Sequence, residues 1–331
     1  MKNLKIMNIG ILGISEFSMR SMVPAILSLP NIFKLHSIGT SSINKIDNLN
    51  LPKEIKICPN YDEIIKDSNI DIIYIPLPNS LHFEYAKKSL NHNKHIIVEK
   101  SLACKLEHVT ELTQLAVQRN LSLLENFLFL HHSQFSIIKK LITDNTIGEL
   151  RYIRTNFSFP PFENENNIRY KKDLGGGALL DAGVYPLKII PQFLGYDINI
   201  TDANILYDNN KEVDILGYGT LTSINGPAFA QFFYGFDSYY QCNIEILGTQ
   251  GKISTNRIFT APYDFIPTVL IEKNGKSEFV NLPKDNQFIN SLIYFHSLLN
   301  DKNNSSKEID CIISHAILID KFFKLSKFRN F

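Results

Sequence analysis

Cysteine is scarce and scattered. The four in 331 residues, Cys58, Cys104, Cys242 and Cys311, form no C-x-x-C pair, so neither a disulfide framework nor a structural zinc site is expected, and the thiols read as reduced and packed. No apolar run approaches the roughly 18 residues needed to cross a bilayer. The opening MKNLKIMNIGILG passes from charge straight into alternating apolar residues. It lacks the long apolar core and small-residue cleavage site of a secretory signal, so it reads as a first strand and the cytoplasm is the expected compartment. Neither sign of charge is in excess: 34 Lys and Arg against 33 Asp and Glu leave +1. No dense basic block of the kind that follows a phosphate backbone is present, so neither nucleic acid nor a membrane is an expected partner. Internal repeats and low-complexity linkers are missing too.

What remains is a chain with 44% hydrophobic residues, enough for a sizeable core, and a length that suggests two domains at roughly 150 residues each. Short β-rich runs at 5–12, 33–39, 71–75, 95–98 and 121–124 alternate with helical patterns at 79–91 and 105–119, the signature of βαβ units feeding a parallel sheet. Pro24 falls inside the first helical segment and is expected to end or kink it. Beyond about residue 125 the β-like runs at 151–159, 215–223, 228–235, 241–248, 252–254 and 268–272 follow one another through turn residues, as in an antiparallel sheet. Helical patterns at 177–194, 286–300 and 310–327 are expected to cover one face of it. The fold class is therefore α/β: a parallel-sheet domain over 1–124, then an α+β domain over 125–331.

Candidate chemistry sits at the ends of these elements. Gly13-Ile14-Ser15-Glu16-Phe17-Ser18 follows the first strand, where a dinucleotide fold places G-x-G-x-x-G/A. Gly13 can supply the tight turn, and Ser15 is small enough to let a diphosphate reach the helix N-terminus; the same residues equally make an ordinary turn before a helix. The second strand ends in Gly39-Thr40-Ser41-Ser42 with Lys45 nearby and no acid before Asp47. An NAD site usually has an acid there, so hydroxyls and a lysine favour NADP(H) over NAD(H). Glu99-Lys100-Ser101 ends a buried strand, where open α/β sheets bind ligands, although a solvated pair is an alternative. Pro76-Leu77-Pro78-Asn79 ends another strand, with Asn79 as the expected cap and His82 one turn on. In Gly175-Gly176-Gly177-Ala-Leu-Leu-Asp181-Ala-Gly183-Val-Tyr185 the glycines precede a helical stretch that carries Asp181 and Tyr185 at i and i+4 on one face. That pair can stand beside a ligand approaching the backbone closely, or Tyr185 can simply be packed.

In order and spacing, these segments resemble the glucose-fructose oxidoreductase, inositol dehydrogenase and rhizopine-catabolism (Gfo/Idh/MocA) family over nearly the whole chain. Arg169, Phe236, Gly248, Gly251 and Arg257-Ile-Phe-Thr-Ala-Pro262 are similar to nucleotide-sugar 3-ketoreductases. The resemblance implies a dinucleotide-binding Rossmann domain over 1–124, an α+β substrate and oligomerisation domain over 125–331 with a large, predominantly antiparallel sheet, and a nicotinamide between the two. It also implies Lys100 as the lysine of a Glu-Lys-Pro motif, and Asp181 and Tyr185 as an Asp-x-x-x-His/Tyr pair. Ser101, Ser15 and Leu130 depart from the family pattern.

Hydride transfer needs a proton at the same carbonyl oxygen. A phenol of pKa about 10 gives it up more readily when an ammonium lies within about 4–6 Å. The expectation is that Tyr185 donates the proton, Lys100 polarises the carbonyl and tunes Tyr185, and Asp181 binds a sugar hydroxyl or orients Lys100. The remaining cofactor contacts are assigned to Gly13, Ile14, Ser15, Glu16, Phe17, Thr40, Ser41, Ser42, Lys45, Pro76, Leu77, Asn79, His82, Glu99 and Arg169. The implied substrate is a keto sugar, of which a nucleotide-linked 3-keto-6-deoxyhexose is the expected form. A free sugar or cyclitol dehydrogenase and a non-catalytic dinucleotide sensor are the alternatives. Adjacent His131-His132 lacks a third ligand, so no metal is expected. Tyr234, Phe236, Tyr239 and Tyr240 are expected to pack the sheet or an interface of a homo-oligomer.

Overall fold

The computed structural model describes residues 5–40 and 51–330. The chain divides into two compact units, Met1–Asn126 with Phe288–Ile313 and Phe127–Gln287 with Ser314–Phe331.

In the first unit β1 (Met7–Leu12), β2 (Phe33–Gly39), β3 (Lys56–Cys58), β4 (Ile72–Ile75), β5 (His95–Glu99) and β6 (Leu123–Asn126) form a sheet of order β3-β2-β1-β4-β5-β6. Every pairing in it is parallel. Strands buried on both faces read as unbroken apolar runs, and all four residues of β4, Ile-Ile-Tyr-Ile, are buried. Its helices are α1 (Val23–Leu27), α2 (Tyr61–Lys66), α3 (Asn79–Asn91) and α4 (Leu106–Gln118). Of the two outcomes expected at Pro24, an end or a kink in the first helical segment, the end does not occur. Residues 16–27 are continuously helical, with Ser18–Met22 wound as a π-helix and the Val23 N–H reaching back to the Ser18 carbonyl. The wider turn absorbs a residue that has no N–H to give.

The second unit holds α5 (Ser133–Thr143), β7 (Leu150–Ser158), the short helices α6 (Val184–Ile189) and α7 (Pro191–Leu194), and then β8 (Ile198–Asp208), β9 (Val213–Ser223), β10 (Phe229–Gly235), β11 (Gln241–Gly248), β12 (Gly251–Asn256), β13 (Thr268–Lys273) and β14 (Lys276–Asn281). With β15 (Lys327–Asn330) these make a nine-stranded sheet of order β14-β13-β12-β11-β7-β10-β9-β8-β15. The sheet is antiparallel except where β10 pairs with β7 and β15 with β8. β8 escaped the sequence reading because Asn199, Thr201, Asp202 and Asn204 break its alternation. Tyr234 and Phe236 lie in the core as expected, whereas Tyr239 is 84% exposed and does not pack the sheet. All four cysteines are free thiols.

α8 (Gln287–Asn300) and α9 (Lys302–Leu325) follow. α8 was expected to cover the antiparallel sheet, but it packs in the first unit. There the Ser122 hydroxyl donates to the Leu298 carbonyl at 3.1 Å, and Phe33 meets His296 edge-on at 6.0 Å. Periodicity identifies an apolar face but not the sheet it covers, which explains the error. No helix among the described residues is long and apolar enough to cross a membrane.

Candidate active site

In the first unit β1 is flanked by β2 on one side and β4 on the other, and successive strands run outward from that point in opposite directions. This is the switch point at which doubly wound sheets bind nucleotides. Gly13 leaves β1 at φ +106, and its N–H donates to the Gly39 carbonyl at 2.8 Å. A β-carbon there would strike the Leu77 side chain, so only glycine fits. The Ser15 hydroxyl accepts the Ser18 N–H at 3.1 Å, and the Ser18 hydroxyl donates to the Ser15 carbonyl at 2.8 Å, which fixes the helix entrance. Glu16 is exposed and pairs with Arg20. Phe17 packs edge-on against Phe288 at 6.0 Å. Strand, glycine turn and helix N-terminus fit a dinucleotide diphosphate. Thr40 is buried and donates its N–H to the Cys58 carbonyl at 2.9 Å; Ser41, Ser42 and Lys45 lie outside the described residues.

The loops after β4 and β5 are tied together. Buried His82 sets Nδ1 2.7 Å from the Ser101 carbonyl and Nε2 2.7 Å from the Leu77 carbonyl. Burial chiefly holds its pKa below the usual histidine range. Pro76 is buried, and Pro78 holds the N-cap of α3 so that Asn79 opens the helix, one position later than the cap expected of it. The Lys100–Ser101 peptide is cis. Glu125, which the sequence reading left without a role, accepts the Leu102 N–H at 2.9 Å. The segment carrying Lys100 is therefore held on both sides although Ser101 stands where the family motif has proline. An acid within the apolar run Leu123-Leu124-Glu125 was the available signal.

Glu99 is not a solvated partner of Lys100. Its Oε1 accepts from the Tyr74 hydroxyl and from Asn126 Nδ2, each at 2.8 Å, and Asn126 accepts from the Ser291 hydroxyl at 2.6 Å. The ends of β4, β5 and β6 are so joined to α8. Burial raises the Glu99 pKa, with the bonds from Asn126 and Tyr74 opposing it, and burial beside this carboxylate pushes Tyr74 well above its usual value.

In the second unit Asp181 lies within a π-helical turn, Leu179–Gly183, and Tyr185 at the start of α6. Arg169 Nε donates to Asp181 Oδ2 at 2.6 Å. Its guanidinium also lies 5.0 Å over the Phe162 ring, a placement inside this unit that spacing alone did not suggest. The half-buried Tyr185 ring is boxed by Phe127, Phe129, Phe157 and Phe259 at 5.5, 5.9, 4.8 and 5.4 Å. The glycine triplet is packed on its own chain. A side chain at 176 would strike the Arg169 carbonyl, and Gly177, at φ +108, leaves room for the Asp214 carboxylate. Asp214, also missed in the sequence, accepts the Leu179 N–H at 2.6 Å, and burial raises its pKa to about 7. His132 caps α5 through Nδ1, which accepts the Gln134 N–H at 3.0 Å. Burial, then the Lys188 charge, pulls the His131 pKa to about 4. Leu130 packs on the core.

Two family models match the chain. One, an oxidoreductase family with an NAD-binding Rossmann fold (GFO/IDH/MocA), covers residues 7–127, and the other, the GFO/IDH/MocA C-terminal domain, covers residues 135–254. Among curated relatives, the dTDP-3,4-didehydro-2,6-dideoxy-alpha-D-glucose 3-reductase of Streptomyces antibioticus is 33% identical over 85% of each chain. The protein of the same name from Actinomadura kijaniata is 30% identical over 96% of this chain and 95% of its own. KijD10, a 3-ketoreductase from Actinomadura kijaniata solved with NADP and TDP-benzene, superposes with a TM-score of 0.92 at 28% identity, covering 99% of this chain and all of that one.

Proposed function

The chain belongs to the GFO/IDH/MocA oxidoreductase family, and we propose that it uses NADP(H) to reduce the ring ketone of a nucleotide-linked 3-keto-deoxyhexose. The observation that carries this reading is the Asp181 to Tyr185 segment. A carboxylate fixed by Arg169 and a phenol fixed among phenylalanines stand four residues apart, in a chain whose relatives are named as sugar 3-reductases. The preference for NADP(H) is supported by a second strand that ends without an acid.

Bound reduced nicotinamide supplies the hydride. Tyr185 Oη gives its proton to the carbonyl oxygen as negative charge develops there. The Lys100 ammonium polarises that oxygen and favours the phenolate left behind, which solvent reprotonates. Asp181 accepts a hydrogen bond from a neighbouring sugar hydroxyl. Gly13, Ile14, Ser15, Glu16 and Phe17 take the dinucleotide diphosphate, and Thr40, Ser41, Ser42 and Lys45 its ribose phosphate. Pro76, Leu77, Asn79 and Glu99 line the cofactor site, while His82 acts through the loop it anchors and is a positioning residue. Arg169 serves by holding Asp181. Tyr218 and Phe229, 39% and 38% exposed and on one face of the nine-stranded sheet, support a homo-oligomer.

Nicotinamide absorbance with a dTDP-linked 3-keto sugar tests the assignment. Lys100→Ala and Tyr185→Phe should each lower kcat by roughly 10²–10⁴. Near-normal turnover in both variants refutes the roles. Equal turnover of the free keto sugar refutes the nucleotide-linked substrate and favours a free sugar or cyclitol dehydrogenase.

A further inference from the structure

Arg257 takes no part in the chemistry above, yet its placement costs free energy. It follows β12 at φ +57, and of the five other non-glycine residues in that region among the described residues four are asparagines, which tolerate the left-handed conformation far better than arginine. A strained backbone persists where its surroundings or its use require it. The Arg257 side chain is exposed, and its guanidinium lies 5.0 Å over the Tyr240 ring, whose hydroxyl is fixed by Thr260 Oγ1 at 3.1 Å. Among the described residues it has no ion-pair partner. Stacking occupies the face of a guanidinium and leaves the donors along its edge for an anion.

The ring beneath Arg257 belongs to a line of packed aromatic rings that leads to Tyr185. Tyr240 meets Phe159 at 5.8 Å, Phe159 meets Phe157 at 4.8 Å, and Phe157 meets Tyr185 at 4.8 Å. All of these residues lie in the second unit. We infer that Arg257 binds the diphosphate of a nucleoside diphosphate sugar, the sugar lying over the half-buried Tyr240 and Phe159 on the way to Tyr185, with the buried Phe157 backing them. An anion three rings from the phenol suits a group on the anomeric carbon, remote from the reacting carbon, better than a phosphate on an adjacent carbon. A planar guanidinium grips a diphosphate in bidentate fashion, as lysine cannot. The inference rests on the nucleotide-linked substrate proposed above.

Calorimetric titration of the full chain with thymidine diphosphate in the presence of NADPH tests it. The Arg257→Gly variant removes the side chain and relieves the left-handed backbone together. Its Kd for thymidine diphosphate should rise roughly 10- to 100-fold, the scale of a lost charge-assisted contact. Its thermal midpoint should hold or rise, and its Kd for NADPH should not change. Arg257→Lys should fall between. Wild-type protein that binds thymidine diphosphate while Arg257→Gly binds it equally well overturns the inference and leaves the proposed substrate standing. Wild-type protein that does not bind thymidine diphosphate overturns the substrate and the inference with it. A lower thermal midpoint, or equal losses toward both ligands, makes Arg257 a structural residue and overturns the inference alone.

Discussion

Asp214 stores a pH-dependent cost beneath the glycine-rich segment. Its Oδ2 accepts the Leu179 N–H at 2.6 Å, and burial raises its pKa from 3.8 to about 7 against the bonds from Leu179 and its own N–H. That difference corresponds to about 4 kcal/mol. Between 3.8 and about 7 the folded chain keeps a proton that the unfolded chain has released. Stability therefore falls as pH rises through this window, by about 1.4 kcal/mol per pH unit, and levels off once the folded carboxyl has ionised. Asp214→Asn keeps an oxygen for the Leu179 N–H and removes the ionisation. Its stability advantage over wild type should open from below about 1 kcal/mol near pH 4 to about 4 kcal/mol near pH 8. Urea unfolding of both chains across this range, followed by circular dichroism, measures the gap. A gap independent of pH, or a variant less stable than wild type near pH 8, refutes the buried, costly carboxylate.

Replacing His82 with Leu removes the ring that faces the Leu77 and Ser101 carbonyls and, with the imidazole neutral, the one N–H it donates to one of them. The loss should be roughly 1–3 kcal/mol for the carbonyl left unsatisfied, with kcat falling more than KM rises; an unchanged urea midpoint with normal kcat disproves the anchor. Gly177→Ala forces a β-carbon into the Asp214 carboxylate at φ +108 and should cost roughly 1–3 kcal/mol. Gly226→Ala, with open space around it, should leave the melting temperature near that of wild type, and equal melting of the two variants contradicts the packing described.

The parallel sheet was legible because strands buried on both faces have little choice of residue. β2 and α3 match the expected ranges at both ends, and in the second unit β11 does so as well. Much of the candidate site was equally legible, since Gly13, Glu99-Lys100 and Asp181 with Tyr185 sit at the ends of elements whose type a local pattern reveals. β8 was not, because Asn199, Thr201, Asp202 and Asn204 interrupt the apolar alternation by which a half-buried strand is recognised.

Local chemistry along the chain determined which residues can turn, donate a proton or carry a charge, because residue type and short spacing suffice for that. Tertiary structure alone decided which of them are engaged and with whom. Glu99 became a strand anchor only when Tyr74 and Asn126 arrived from 25 and 27 positions away. Asp214 met Leu179 across 35, and α8 returned to the first sheet through Ser122, 176 positions before Leu298. Burial and hydrogen-bond partnership are properties of the space in which distant segments meet, and no window along the chain contains that space.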